Sequence, residues 1–399
     1  MPNYIYELPA WPYFTWDRAG IGELLSKAKI EQARLLGRME SLGFDFQRDA
    51  ALKTMTAEVI KSSEIEGEIL NPDQVRSSVA RHLGMKLDNM VNVNKHVDGV
   101  VTMMMDATEK YAHPLTAHRL FGWHNVLFPT GMSDMRKIKV AAYRESPMEI
   151  VSGAEGDYRV HFEAPEASKL ESEMTTFLAW FNDDDRNKGD WMLISGLAHL
   201  WFITIHPFDD GNGRIARAIS DMCLARDEKS PQRFYSLSSQ IRKESKEYYH
   251  VLESTQKGGI DITPWMEWFV RCTMRAIEGS QHTLADVFAK AAFWNRFGRA
   301  EINERQREML NRLLDGFEGK LTPEKWSKIT DSAIRTAKRD IQNLVEKDML
   351  VKNPEGGRST SYRLAEAAQK SAETGLGITA EDIADVERHR DSRLIKGQE

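Results

Sequence analysis

The strongest apolar run of the chain, Leu197 to Ile205, stops at His206-Pro207 and passes into Phe208-Asp209-Asp210-Gly211-Asn212-Gly213-Arg214-Ile215-Ala216-Arg217. This junction constrains the fold more than any other stretch. Proline interrupts the apolar segment, and the two glycines let backbone amides turn inward. A helix beginning within Gly213-Arg214-Ile215 would offer free N–H groups and the positive end of its dipole to an anion. Arg214 and Arg217, three apart, would share one helical face and reach a common polyphosphate with planar guanidinium groups. His206, with an ordinary pKa of about 6.5, is mostly neutral at pH 7 and can take a proton from an attacking hydroxyl. Asp210 is an oxygen ligand of the kind Mg²⁺ uses while it bridges phosphates. Together these residues describe a nucleoside triphosphate site.

Gly211-x-Gly213-x-x-Ala216 also satisfies a dinucleotide fingerprint, but that fingerprint needs a strand running into its first glycine. Here Pro207 interrupts the run, and Asp209-Asp210 would set two negative charges beside a pyrophosphate. The Walker pattern is absent. At every specified position the stretch resembles the Fic family motif, His-Pro-Phe-x-Asp/Glu-Gly-Asn-Gly-Arg-x-x-Arg. The resemblance implies transfer of AMP from ATP to a Ser, Thr or Tyr hydroxyl of a target protein, and of the chain itself. It makes His206 the general base and Asp210 the Mg²⁺ ligand. Asn212 and the amides of Gly211 to Gly213 would bind the α- and β-phosphates, and Arg214 and Arg217 the β- and γ-phosphates. With both arginines present, the α-phosphorus is expected to face His206, as in AMP-transferring members.

A chain of 399 residues, 41% hydrophobic and 29% charged, suits a soluble protein of two or three domains. The net charge of −6 gives the whole molecule no electrostatic case for nonspecific nucleic-acid or membrane binding. Cys223 and Cys272 sit in apolar helical contexts without a disulfide or metal pattern, which fits a reducing cytosol. Without a basic amino-terminal region followed by an apolar stretch, the expected location is cytoplasmic, with no membrane association. The eleven histidines include no His-Glu-x-x-His pattern, and His199, in its apolar run, reads as a core residue.

The expected fold is mainly α. Residues 1–112 read as an N-terminal helical domain, 113–278 as a Fic core, 279–304 as a helical linker, 305–366 as a winged helix and 367–399 as a charged tail. Residues 1–20, rich in aromatics and proline, resemble the start of the uncharacterised domain that often precedes Fic cores, and suit an extended segment packed on a helical body. Helical periodicity then runs from Ile21 to about Met105, broken at Gly43, Asn71-Pro72 and Gly84. Within the core, the β-prone runs 147–153 and 158–162 flank a turn at 153–157. In Fic proteins a hairpin at this place covers the nucleotide, which assigns Val151, Ser152 and Gly153 to it; its exposed edge would pair with an extended target. The resemblance further places Tyr248, Tyr249 and Gln256 around adenine and ribose, with glutamine standing where relatives often carry asparagine. Tyr249 also reads as ordinary aromatic helix packing.

Residues 305–364 show three helical patterns followed by a β-wing. Residues 331–361 carry six basic against five acidic side chains, a weak footprint for DNA. Protein contact or homodimerisation is the stronger expectation for this domain.

A second constellation lies within Ala51–Leu70, where Met55, Val59, Ser62 and Glu66 follow helical spacing and would share one face. Ser62 and Glu66 would prolong a buried apolar stripe with polar groups, and a buried carboxylate needs a partner. Ser62-x-x-x-Glu66-Gly67 resembles the inhibitory motif Ser/Thr-x-x-x-Glu-Gly/Asn of Fic proteins, which implies that Glu66 pairs with Arg217 and bars the γ-phosphate. Two alternatives remain: a winged-helix transcription regulator whose core senses nucleotide, and a Fic enzyme that uses another nucleotide or removes AMP.

Overall fold

The computed structural model describes residues 2–87, 89–133, 135–154, 157–183, 189–317, 319–354 and 360–365. The expected charged tail at 367–399, Gly356-Gly357 of the expected wing and Glu155-Gly156 of the expected hairpin turn lie outside the described residues. The chain divides into one compact unit of residues 1–41 and 48–280 and a second of 42–47 and 281–399. The helices expected over 1–112 and the core expected over 113–278 thus fall largely in one unit.

In the first unit, helix α1 (Arg18–Glu40) starts at Asp17, whose carboxylate accepts from the amides of Ala19 and Gly20. Helix α2 (Phe44–Ile65) ends just before the Glu66-Gly67 pair. Asn71 caps α3 (Pro72–His82), with Pro72 where a helix has no use for an amide hydrogen. Asn94 and Thr116 cap α4 (Lys95–Glu109) and α5 (Ala117–Leu127). A short hairpin follows, β1 (Met132–Ser133) with β2 (Arg136–Lys137), and then a longer one, β3 (Glu149–Ala154) with β4 (Asp157–Glu163). This second hairpin outruns the sequence expectation: Gly153 pairs with Tyr158 and Ala154 with Asp157, so these residues extend the ladder rather than the turn. Helices α6 (Leu170–Phe181), α7 (Trp191–Ile205), α8 (Asn212–Glu228), α9 (Leu237–Lys243), α10 (Ser245–Gln256) and α11 (Thr263–Thr283) complete the unit.

Helix α7, capped by Asp190, is apolar all round and buried from Ile194 to Ile205, so it forms the spine on which α8 packs. Glu58 anchors α2 by accepting from Ser236 Oγ at 2.7 Å and the Ser238 amide at 3.0 Å. The first residues lie on this body, but as a 3-10 turn over Ile5–Glu7 followed by further turns rather than the extended segment expected. Tyr4 and Tyr6 meet Phe162 of β4 edge-on at 5.1 and 6.0 Å, and Thr15 bridges Asp261.

The second unit holds α12 (Ala285–Phe297), α13 (Glu304–Leu314), α14 (Pro323–Ile329), α15 (Ile334–Glu346), β5 (Leu350–Lys352) and β6 (Tyr362–Leu364), the last two antiparallel. Trp326, Ile341, Leu344 and Leu350 make its core, which Phe293 of α12 completes. Helix α12, expected as a linker, is therefore part of the packed unit. Asp340 is buried and accepts from Arg305 and Asn303, while Arg335, Lys338 and Arg339 of the same helix stay exposed. No helix of the described residues is long and apolar enough to cross a membrane.

Candidate functional site

Helix α7 cannot run through Pro207, and its last residue leaves His206 in the left-handed region, φ 52°. Its Nδ1–H donates to the Ile203 carbonyl at 3.1 Å, which leaves the Nε2 lone pair available as a base. Burial pushes the imidazole down to about 4, with Arg144 adding to that direction and Glu66 and Asp210 opposing it. His206 is therefore neutral at physiological pH.

The chain then loops through residues 207–211 into α8, which starts at Asn212, one residue earlier than the glycine-arginine pattern suggests. Asn212 departs from expectation. Its side chain is buried, with Oδ1 accepting from the Phe208 amide at 3.0 Å and Nδ2 donating to the Phe208 carbonyl at 2.8 Å. It staples the loop, while its amide, with those of Gly213 and Arg214, is left free at the helix start for an anion. Asp210 is held on both oxygens, by Ser133 Oγ and by the Gly211 amide. His124 of α5, which sequence reasoning missed, also fixes the loop. Its Nδ1 accepts from the Ala141 amide at 3.1 Å, its Nε2–H donates to the Asp210 carbonyl at 3.2 Å, and its ring stacks on Phe208 at 4.4 Å.

Arg217 is buried and paired as the inhibitory resemblance implies. Its Nε donates to Ser62 Oγ, and its Nη2 to the Ser62 carbonyl and Glu66 Oε1, all at 2.8 Å. Glu66 differs from expectation in placement. Met55, Val59 and Ser62 are buried on α2, but Glu66 lies in the turn beyond Ile65, where Gly67 at φ 83° lets the chain reverse, and its side chain keeps 34% of its exposure. The approach to α8 is close: a Cβ on Gly213 would stand 2.1 Å from Glu66 Oε1.

Sequence reasoning also missed Glu68. Arg214 Nη1 donates to Glu68 Oε2 at 2.8 Å, and the guanidinium lies over the Phe128 ring at 5.1 Å. His96 of α4 bonds the other Glu68 oxygen. Burial raises the Glu68 carboxyl, but His96, Arg214 and Ser63 outweigh it and hold the group below the usual range. One short segment thus sets a carboxylate on each motif arginine. A second acid two residues past Glu66 was visible in the sequence; its partner, 146 residues away, was not. Arg214 Nε and Arg217 Nη1 are buried and have no hydrogen-bond partner among the described residues.

His206, Asp210, the start of α8, Glu66 and the hairpin residues Val151 and Ser152 border one cleft of about 1260 Å³. Tyr248, Tyr249 and Gln256 line it from α10. Tyr248 is buried, its hydroxyl on His199 Nε2 at 3.0 Å, while His199 Nδ1 bonds Ser220 Oγ at 3.0 Å; His199 is a satisfied core residue. The half-exposed Tyr249 donates to the Ile65 carbonyl at 3.2 Å and so touches the end of α2. Gln256 Nε2 lies 3.3 Å from Thr204 Oγ1. Gly153 sits on β3 beside Ser152.

Two further histidines add to the pH dependence that the depressed His206 already gives the fold. Burial depresses His124 to about 4 and His199 to about 3. Above pH 6.5 both are neutral folded and unfolded; below it the unfolded chain takes up protons the folded chain refuses. Stability should therefore fall as pH drops from 6.5 toward 4, by up to about 1.4 kcal/mol per pH unit for each. Denaturant midpoints at pH 7, 6 and 5 check this; a flat curve would mean that neither imidazole is held neutral.

Residues 114–224 match the Fic/DOC family, and residues 4–85 a family described as a domain of unknown function (DUF4172). The chain is 32% identical over 116 residues to Protein adenylyltransferase Fic of Nematostella vectensis, covering 29% of this chain and 25% of that protein. It is 31% identical over 105 residues to the protein of the same name from Drosophila grimshawi, covering 26% and 20%. The matched segment thus spans about a quarter or less of these curated relatives. A crystal structure of a Fic family protein from Desulfovibrio desulfuricans superposes with a TM-score of 0.54 at 18% identity, covering 89% of this chain and 98% of that one.

Proposed function

Since residues 114–224 make this chain a Fic family protein, we propose that it transfers AMP from ATP to a hydroxyl side chain of a target protein, and to itself. The observation that carries this reading is one cleft bordered by a neutral histidine with a free Nε2 lone pair and by the amino end of a helix bearing two buried arginines. His206 Nε2 takes the proton of the target hydroxyl as its oxygen attacks the α-phosphorus. The bond from that phosphorus to the bridging oxygen breaks, and pyrophosphate leaves with the electron pair.

The amides of Asn212, Gly213 and Arg214 are donors for phosphate oxygens, and Arg214 Nε and Arg217 Nη1, buried and without a partner among the described residues, would join them once the guanidinium groups turn from Glu68 and Glu66 to the nucleotide. Among the described residues no cluster of three ligating side chains could hold a metal alone. A single oriented carboxylate, Asp210, fits Mg²⁺ arriving with the nucleotide, since that ion keeps waters and phosphate oxygens as its other ligands. When bound it would neutralise charge on the phosphates. The unpaired outer edge of β3 suits an extended target segment lying across the cleft mouth.

The ion pairs of Glu66 and Glu68 with the arginines that would grip a triphosphate support a site restrained until those carboxylates leave. Incubation with ATP and Mg²⁺ followed by intact-mass measurement should show an added AMP on the chain carrying Glu66→Gln, with little on the parent. An added phosphate instead would identify the other transfer chemistry, and no adduct on self or on lysate proteins would sink the reading.

A further inference from the structure

Arg144 is 2% exposed, and its guanidinium hydrogen-bonds to no carboxylate among the described residues, although the nearby Asp209 favours its charge. Its three side-chain nitrogens instead donate to three backbone carbonyls: Nε to His206 at 2.9 Å, Nη1 to Ser146 at 2.8 Å and Nη2 to Pro165 at 2.5 Å. Its own amide donates to the Pro207 carbonyl at 2.9 Å. Ser146 lies three residues before β3 and Pro165 two after β4, so these are the two feet of the hairpin.

Resting on the reading above, we propose that Arg144 is a positioning residue that fixes both feet of the hairpin to the backbone of the general base. A cation taken out of water is costly unless its donors are used, and only a planar guanidinium presents donors in these three directions at once. A non-glycine residue in the left-handed region, as His206 is, keeps that conformation only where its surroundings hold it. Arg144 holds it at two consecutive carbonyls, His206 through its side chain and Pro207 through its own amide, and only the first is lost on substitution. The hairpin edge that would align a target and the imidazole that would accept its proton are thereby set at one spacing. Phosphate binding is expected to rest on α8, to which Arg144 makes no hydrogen bond among the described residues. Loss of the clamp therefore misplaces the attacking hydroxyl while sparing ATP, and a misplacement of about 1 Å costs on the order of 10²-fold in rate.

The test compares the parent with Arg144→Met and Arg144→Lys, each also carrying Glu66→Gln so that transfer can be measured. Backbone amide exchange is followed over 146–154, 157–165 and 206–212. The methionine variant should speed exchange in hairpin feet and motif loop together. Transfer kcat should fall about 10²-fold with the KM for ATP changed less than about twofold. Lysine keeps the charge but not the fork, and should rescue neither exchange nor kcat; full rescue by lysine would reduce Arg144 to a charge and overturn the clamp. So would exchange that quickens in one segment and stays at the parent rate in the other, or a raised KM at unchanged kcat. Should the methionine variant unfold throughout, the lysine variant decides by the same criteria. If the Glu66→Gln parent transfers nothing, the functional reading fails, and the exchange pattern still decides the clamp.

Discussion

His206→Ala should lower nucleotide transfer by about 10²–10⁴-fold and leave ATP affinity within a few-fold of its original value. The imidazole contributes a proton acceptor through Nε2, whereas the donors expected to bind phosphate are the free amides at the start of α8 and, once their carboxylates release them, Arg214 and Arg217. Because the parent holds both arginines, the comparison belongs in the Glu66→Gln chain, where the starting rate is high enough to lose. Alanine at φ 52° is strained, so a fall in rate could also come from a shifted loop. His206→Asn separates the two, because asparagine tolerates the left-handed region and has no basic nitrogen. Both variants should be slow with ATP bound. Transfer at the original rate in His206→Asn would remove His206 from the chemistry.

The sequence exposed what is local and hid what is distant. The break after Ile205, the glycines and the spacing of the two arginines follow from neighbours a few residues apart, and the structure keeps them together. Ser62 and Glu66 were legible for the same reason, although α2 stops at Ile65 because Glu66-Gly67 form its closing turn. Asn212 shows a second role that its sequence position does not report, because a side chain suited to phosphate can equally satisfy a loop, and the Phe208 backbone lies within its reach. His124, Arg144 and Glu68 act on partners 86, 62 and 146 residues away, and no periodicity in one sequence reports such pairs. In the second unit the near-balanced charge of 331–361 concealed how burial sorts it, with Asp340 paired inside and three cations outside on one helix.

The largest gain should come from removing both carboxylates that face the motif arginines. Glu66→Gln and Glu68→Gln keep side-chain size and hydrogen-bonding capacity but discard the charge, and each should raise AMP transfer by about tenfold. A charge-assisted hydrogen bond is worth about 1.5–3 kcal/mol, and both acids are partly exposed, so the lower end applies. If Arg214 and Arg217 grip one triphosphate, releasing either alone leaves the other pinned. The double variant should then exceed either single variant, and a double-mutant cycle measures the coupling. Arg217→Ala in the double variant should abolish the gain. Glu66 rises against Gly213, so its loss also opens the helix start, whereas Glu68 is tethered by His96 and should matter less for access than for Arg214. Transfer that stays at the parent rate in the double variant, with ATP bound, would show that these ion pairs only stabilise the fold and do not restrain the site.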